Sequence, residues 1–263
     1  GGKANTHKFS ITARSAGTSL AGQATGGGVI MDVSRYMDQI LNLDEASKIA
    51  HVQPGVIRDT LNREAEKFDL LFGPDTATTN RCMLGGMIGN NSSGSFSIKY
   101  QTTREHTLEV EAVLSDGSVA YFKPLTPEEL EARKKLDNLE GYIYRSMLKL
   151  IEQNRELIEW SYPHKDIIRR NTGYALDKLV EMQPFNPKGR KFNLCELLCG
   201  SEGTLAMTVS AKLNLIPKDE HKLVVVPQFE SLDEAMKAAV HIVGYEPAAV
   251  ELVDYIIMDA TKG

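Results

Sequence analysis

The chain has 263 residues, 42% hydrophobic and 25% charged, enough apolar material to bury a sizeable core in one large domain or two smaller ones. Its formal net charge of −5, with lysines and arginines dispersed, argues against a general nucleic-acid binder, which would carry a basic surplus. No apolar run approaches the roughly 18 residues that span a bilayer, and the N-terminus shows no signal-peptide core.

Short strands are expected at residues 9–14, 28–33 and 48–52, followed by a surface helix over 56–68 in which Val56, Leu61 and Ala65 alternate with charges. Two β-rich runs, 108–114 and 119–123, flank Asp116-Gly117, a strong hairpin signal. Thr126-Pro127-Glu128-Glu129 is a helix start, with threonine at the N-cap, proline at N1 and glutamate at N3. The next helix, 141–160, carries Ile143, Met147, Leu150, Ile151, Leu157 and Ile158 on one stripe, expected to face the core. Strands are expected again at 194–199 and 205–216. After a polar link at 217–220 come a strand at 221–226 and a helix at 232–243. The three cysteines, Cys82, Cys195 and Cys199, lack framework spacing and nearby histidine partners, so they are expected buried, reduced and metal-free, as suits a cytoplasmic protein.

Three separated runs of small residues carry the functional signal. The first reads Arg14-Ser15-Ala16-Gly17-Thr18-Ser19-Leu20-Ala21-Gly22-Gln23. The second, Met83-Leu84-Gly85-Gly86-Met87-Ile88-Gly89-Asn90-Asn91-Ser92-Ser93-Gly94, follows a Gly73-Pro74-Asp75-Thr76 loop, and the third is Gly200-Ser201-Glu202-Gly203-Thr204-Leu205. Side chains this small let backbone N–H groups approach a ligand and donate to it. Three such loops suit one long ligand laid across several turns, and a dinucleotide cofactor has that length. Gly26-Gly27-Gly28 precedes a strand instead of opening a helix, and no G-x-x-x-x-G-K-[ST] loop occurs, which disfavours the common nicotinamide fold.

Taken in order, these runs resemble the FAD-binding domain of the vanillyl-alcohol oxidase/p-cresol methylhydroxylase (PCMH) flavoprotein superfamily. The likeness is closest to its FAD-linked 2-hydroxy-acid dehydrogenases, which act on D-lactate, glycolate or D-2-hydroxyglutarate. That branch carries R-G-G-G-T-S-x-x-G-Q, then P-D-P, T-I-G-G-x-x-A-x-N-A-S-G, K-Y-G-T-T-R-D-H and G-S-E-G-T-L-G. Residues 14–23, 74–75, 85–94, 99–106 and 200–205 correspond, and the likeness runs from about 9 to 217. Residues 168–176 resemble the R-x-N-T-G-Y-x-L segment of the large D-2-hydroxyglutarate dehydrogenase-like proteins, which carry an additional iron–sulfur region. Ser15 and Ala16 stand in place of two glycines, so neither is suited to a positive φ. Met83 replaces a common threonine, Ala206 a glycine, and the first run has no histidine for a covalent flavin tether.

The resemblance implies an α+β fold: a two-subdomain PCMH-type FAD-binding domain over residues 3–217, its first strand and helix missing or barely represented, then the beginning of a truncated α+β cap domain over 218–263. It implies non-covalent FAD, with Ser15, Ala16, Gly17, Thr18, Ser19 and Gln23 around the pyrophosphate. Pro74, Asp75, Gly85, Gly86, Asn90, Ser92, Ser93 and Gly94 would shape the cleft around the ribityl chain and isoalloxazine, with Thr79 and Tyr100 also among the contacts. Glu202, Gly203 and Met207 would meet the adenine end or the flavin edge. The implied reaction is oxidation of a small 2-hydroxy acid, with hydride passing to flavin N5. The base, the carboxylate clamp and a divalent metal site would come largely from the cap domain, so this fragment is expected to be catalytically incomplete, with no metal ligands of its own. Arg170 and Tyr174 are the candidates to face a substrate carboxylate, against a surface role for Arg170 and a core role for Tyr174; His106 has a structural reading too. Implied partners are the hydroxy acid and, as electron acceptor, an iron–sulfur domain of the longer chain, with no nucleic acid and no membrane span. The implied location is cytoplasmic or peripheral at the inner membrane face. Two alternatives stand beside this: another flavoenzyme on the same fold, of alditol-oxidase or UDP-N-acetylmuramate-reductase type, and a non-catalytic flavin-fold module.

Overall fold

In the computed structural model, which describes residues 10–164, 166–167 and 173–261, β1 (Ile11–Arg14) and β2 (Val29–Asp32) pair in parallel and hold the first small-residue run between them. β3 (Ile40–Asp44) and β4 (Ile49–Val52) form a hairpin, α1 (Arg58–Ala65) runs on into a 3-10 turn, and β5 (Leu70–Leu71) leads towards α2 (Leu84–Asn90). Two short helices, α3 (Ser97–Tyr100) and α4 (Thr103–His106), precede the hairpin of β6 (Thr107–Val113) and β7 (Val119–Phe122). Next come α5 (Pro127–Lys134), α6 (Leu139–Ser161), α7 (Leu176–Val180) and α8 (Cys195–Leu198). β8 (Met207–Asn214) and β9 (Ile216–Pro217) are followed by α9 (Leu232–Val243) and α10 (Tyr255–Ala260).

The main sheet has the order β3-β4-β8-β6-β7, with every neighbouring pair antiparallel; β5 and β9 form a small second pair. Strand alternation divides its faces. Ala50, Val52, Val110, Ala112, Ala211 and Leu213 are buried on the core face, while His51, Glu109, Glu111 and Lys212 occupy the other. There Lys212 pairs with Glu109 at 2.8 Å, and the Ser210 hydroxyl lies 3.0 Å from both His51 Nε2 and Glu111 Oε2. The core behind the sheet is filled by Tyr144, Phe122 and Phe192, with the Tyr144 ring centroid 6.4 Å from each of the other two. The Thr126 capping box forms as its residues dictate: Glu129 N–H donates to Thr126 Oγ1 at 3.2 Å, and Thr126 N–H to Glu129 Oε2 at 2.8 Å.

Several expectations need correction. Within 194–199 the chain forms α8, not a strand; just before it the Asn193 side chain accepts from Cys195 N–H at 3.0 Å, which turns the chain into the helix. Residues 221–226 pair with no strand among the described residues, and Leu223, Val224, Val225 and Val226 lie exposed. On α6, Ile151 and Ile158 are buried and Ile143 and Met147 pack against the core, but Leu150 and Leu157 are exposed. Each precedes a buried isoleucine by one residue, which is about 100° round a helix, and Tyr144 takes the core position instead. The second small-residue run is a helix, α2, over much of its length. β3, α3, α4, α7 and α10 carried no expectation. α9 forms where expected, capped by Ser231, yet buries none of its residues.

The cysteines are free and buried. His106 is structural: Nδ1 lies 3.2 Å from the Asn214 carbonyl and Nε2 2.7 Å from that of Tyr100. Among the described residues no group of three or more His, Cys, Asp or Glu side chains is placed to hold a metal ion, and no helix is long and apolar enough to cross a membrane.

Candidate cofactor-binding cleft

The three small-residue runs meet in one cleft of about 310 Å³, within the range of small-molecule sites. α2 supplies its floor. Leu84, Met87 and Ile88, at i, i+3 and i+4, bury one face of that helix, with Met87 also reaching the cleft, while Gly85, Gly86, Gly89 and Asn90 line it from the other face. The helix is pinned at its start by Leu84 N–H to Val56 O (2.9 Å) and Gly85 N–H to Pro54 O (2.8 Å). Asn91, at φ 52°, ends it.

The first run supplies a second wall. Ser15, Ala16, Gly17, Thr18, Ser19 and Gln23 all line the cleft, as does Arg14, which the sequence reading left out of the site. Arg14 is fixed at the end of β1, where its carbonyl accepts from Val33 N–H at 3.0 Å. Its guanidinium packs on Gly17, which has φ +65°; neither Ser15 nor Ala16 is in that region. The left-handed turn therefore falls on the one residue of the three that tolerates it.

The 200–203 loop supplies the third wall. Gly200 N–H donates to Ile88 O at 3.0 Å and Glu202 N–H to Gly89 O at 2.8 Å, so the loop continues the end of α2. Asn90 Nδ2 donates to Glu202 Oε1 at 2.8 Å while Ser92 Oγ donates to Asn90 Oδ1 at 3.0 Å, which orders Asn90, Ser92 and Glu202 as a unit on the cleft surface. Ser93 and Gly203 line it as well. Thr76, Ala77, Thr78, Cys82, Met83, Ser201, Ala206 and Thr208 also reach the cleft without having been singled out as contacts.

Other sequence candidates stand outside its lining, each for a visible reason. Arg58 draws Pro74 and Asp75 towards α1, with Nε donating to Pro74 O at 3.1 Å and Nη2 3.3 Å from Asp75 Oδ1. The Thr79 carbonyl accepts from Asp59 N–H at 3.2 Å. Gly94 packs against the Asp75 carbonyl, leaving no space for a Cβ. The Tyr100 hydroxyl donates to Asp219; burial, and then that carboxylate, push its pKa up to about 12. Met207 and Thr208 are neighbours in β8 and point to opposite faces, and it is Thr208 that reaches the cleft. The Tyr174 hydroxyl lies 2.7 Å from Thr204 Oγ1, beside the third wall but not lining it. Arg170 lies outside the described residues.

The donor set suits an adenine-dinucleotide flavin. Gln23 Oε1 is buried without a hydrogen-bond partner among the described residues, an acceptor that a ligand N–H or O–H can satisfy. Backbone at three glycines of α2, the hydroxyls of the first run and the Arg14 charge make a surface for a long polyhydroxylated anion.

The fold is shared with solved structures of alkyldihydroxyacetonephosphate synthase. In one crystal form the match covers 91% of this chain and 34% of that one at a TM-score of 0.53 and 17% identity; in another the TM-score is 0.55 at 18% identity. In sequence, residues 2–122 match the FAD binding domain family. D-2-hydroxyglutarate dehydrogenase of Pseudomonas putida is 34% identical over 262 residues, 99% of this chain and 25% of its own length. Glycolate oxidase subunit GlcD of Bacillus subtilis is 29% identical over 94% of this chain and 41% of its own length. D-lactate dehydrogenase of Anaerostipes hadrus is 23% identical over 98% and 42%. The cleft therefore lies in a domain of mixed α and β structure whose fold those synthase structures share. Residues 2–122 are thus similar to an FAD binding domain, and nearly the whole chain to D-2-hydroxyglutarate dehydrogenase, glycolate oxidase subunit GlcD and D-lactate dehydrogenase. The chain spans about a quarter of the length of the D-2-hydroxyglutarate dehydrogenases it matches.

Proposed function

We propose that this chain is the FAD-binding part of a flavoprotein dehydrogenase that oxidises a 2-hydroxy acid of the D-lactate, glycolate or D-2-hydroxyglutarate type. The observation that carries this reading is the convergence of three runs, up to 190 residues apart in sequence, on one glycine-floored cleft. Backbone N–H groups of residues 15–19 and the Arg14 charge hold the pyrophosphate, and the Gln23 carbonyl accepts from the ligand. Gly85, Gly86, Asn90, Ser92 and Ser93 bed the ribityl chain and ring, and the tied pair Asn90–Glu202, with Gly203, closes the far side. Pro74, Asp75, Thr79, Gly94, Tyr100 and Met207 shape these walls from outside. Bound FAD supplies the hydride acceptor for the hydroxyl-bearing carbon.

Residues 3–217 are the FAD-binding domain, and 218–263 begin a cap domain that brings the base and the substrate clamp. The exposed apolar run 223–226 and the unburied faces of α9 support that division. Arg170 and Tyr174 are the candidates on this side for the substrate carboxylate. Electrons leave towards an iron–sulfur region of the longer protein, a reading supported by the resemblance of residues 168–176 and the fourfold greater length of the D-2-hydroxyglutarate dehydrogenases. The enzyme works in the cytoplasm or at the inner membrane face, and three buried free thiols fit a reducing compartment.

The test is to mix the chain with FAD, remove the excess and record the visible spectrum. A bound flavin with bands shifted from those of free FAD is expected, and heat release should return FAD, not FMN. A folded, colourless chain would sink the reading. Reduction of the bound flavin by D-2-hydroxyglutarate, D-lactate or glycolate in the full-length protein then identifies the substrate.

A further inference from the structure

Residues 99–106 match the family pattern in the sequence, yet none of them lines the cleft. They lie behind it and bond to two of its walls. Thr103 donates to the Ser92 carbonyl from both N–H (2.9 Å) and Oγ1 (2.7 Å). Arg104 N–H donates to Asn91 Oδ1 at 2.8 Å, at the residue that ends α2. The Arg104 side chain, only 5% exposed, crosses to the other wall: Nε donates to the Glu196 carbonyl at 3.1 Å and Nη2 to the Cys199 carbonyl at 2.5 Å. Gly200, at φ +95°, lies so close that a Cβ there would sit 2.9 Å from Nη2.

A buried guanidinium commonly pairs with a carboxylate. Here two donors go to main-chain carbonyls at the mouth of the 200–203 loop, and the carboxylate is secondary. Glu196 Oε2 stands 3.9 Å from Arg104 Nε, beyond hydrogen-bond reach, while Oε1 pairs with Arg190 at 2.7 Å. The Arg104 charge is therefore directed at backbone position, and charge-assisted bonds of this kind are stronger and more directional than neutral ones.

We propose that Arg104 is a positioning residue that locks the end of α2 and the 200–203 loop at the separation FAD requires, without touching the cofactor. This rests on the reading of the cleft as an FAD site. Lysine, a point charge with three rotatable donors on a flexible stem, lacks the planar fork that fixes the two carbonyls relative to each other.

The test compares Arg104→Ala and Arg104→Lys with Arg133→Ala, which breaks the Arg133–Glu140 pair (2.8 Å) between α5 and α6 instead. Amide hydrogen exchange is measured without ligand, and FAD affinity by visible titration. Both Arg104 variants should exchange faster at residues 91–92 and 200–203 while β6 and β8 keep their protection. FAD binding should weaken roughly tenfold or more, and millimolar guanidinium ion should restore it in Arg104→Ala alone. Unchanged exchange at either wall, equal weakening by Arg133→Ala, or no recovery with guanidinium overturns the proposal. If Arg104→Ala does not fold, Arg104→Lys carries the exchange and titration arms. A wild-type chain that binds no FAD removes the cofactor reading, and the exchange pattern still decides whether Arg104 braces the two walls.

Discussion

Gly85 and Gly89 lie one turn apart on α2, and both line the cleft, but alanine at the two should act with opposite sign on stability. A Cβ on Gly85 would stand 2.5 Å from Pro54 Cβ and 3.0 Å from the Pro54 carbonyl that Gly85 N–H now bonds. Overpacking against a closed ring costs about 1–3 kcal/mol, more than the roughly 0.5–1 kcal/mol that alanine returns in helix propensity. Gly85→Ala should therefore lose about 1–2 kcal/mol. A Cβ on Gly89 meets only the Glu202–Gly203 backbone, at 3.7–4.0 Å, which is ordinary contact. Gly89→Ala keeps the propensity gain, about 0.5–1 kcal/mol, or a rise of roughly 1–4 °C in Tm for a chain of this size. Yet its methyl stands at the seam of two cleft walls and should weaken FAD binding about tenfold, a loss of about 1.4 kcal/mol. Urea and thermal unfolding without ligand, with FAD titration beside them, separate the two effects. If Gly89→Ala melts below the wild type, or Gly85→Ala melts level with it, the orientation assigned to α2 is wrong.

The Tyr144 hydroxyl is fully buried without a hydrogen-bond partner among the described residues, and Tyr144→Phe should raise stability by about 1 kcal/mol in urea unfolding; a loss instead would mean the hydroxyl has a partner. Burial holds the Cys195 thiol well above its ordinary pKa and pushes Cys199 up to about 12, so a thiol reagent at pH 8 should reach both only on unfolding. Any native-state reaction should come from Cys82 at the cleft wall and vanish in Cys82→Ser. Although burial works against it, Glu109 is held below the ordinary carboxylate value of 4.5 by hydrogen bonds from Lys212 and Tyr121 and by the Lys212 and Lys123 charges. A depressed carboxylate stabilises the fold above its unfolded pKa and loses that contribution as pH falls through the folded one. Glu109→Gln should thus be less stable than wild type at pH 7, by under about 1 kcal/mol at so solvated a site, with the difference closing below pH 4.5; a difference that persists in acid would assign it to packing.

The sequence was legible where a few adjacent residues decide the backbone. The Asp116-Gly117 turn and the Thr126 capping box each satisfy groups within three or four residues, and each forms. It misled where tertiary partners decide. Residues 84–90 read as a loop because three of the seven are glycine, yet Leu84, Met87 and Ile88 already sit at helical spacing. Carbonyls of Pro54 and Val56, far off in sequence, help offset what glycine costs the helix. At 194–199 the apolar run is too short for its period to separate strand from helix. The valines of 224–226 favour a strand, but a strand exists only where another edge accepts its hydrogen bonds, and none does among the described residues.

The cleft follows the same division. Most small residues of the three runs lie on its surface, because lack of bulk at a surface is itself readable from composition. Depth is not readable. Pro74 and Asp75 stand next to cleft residues in sequence, but Arg58 pulls them to α1, and no local pattern announces an arginine acting across sixteen or seventeen positions. Arg14 shows the converse: a charged residue at a strand end suggests solvent, and only its packing on Gly17 places it in the cleft. Gly94 and Thr103 match the pattern and miss the cleft, yet each bonds or packs against a segment that shapes it. A sequence pattern of this kind therefore marks what must hold its place for the walls to meet, and only part of it marks what touches the ligand.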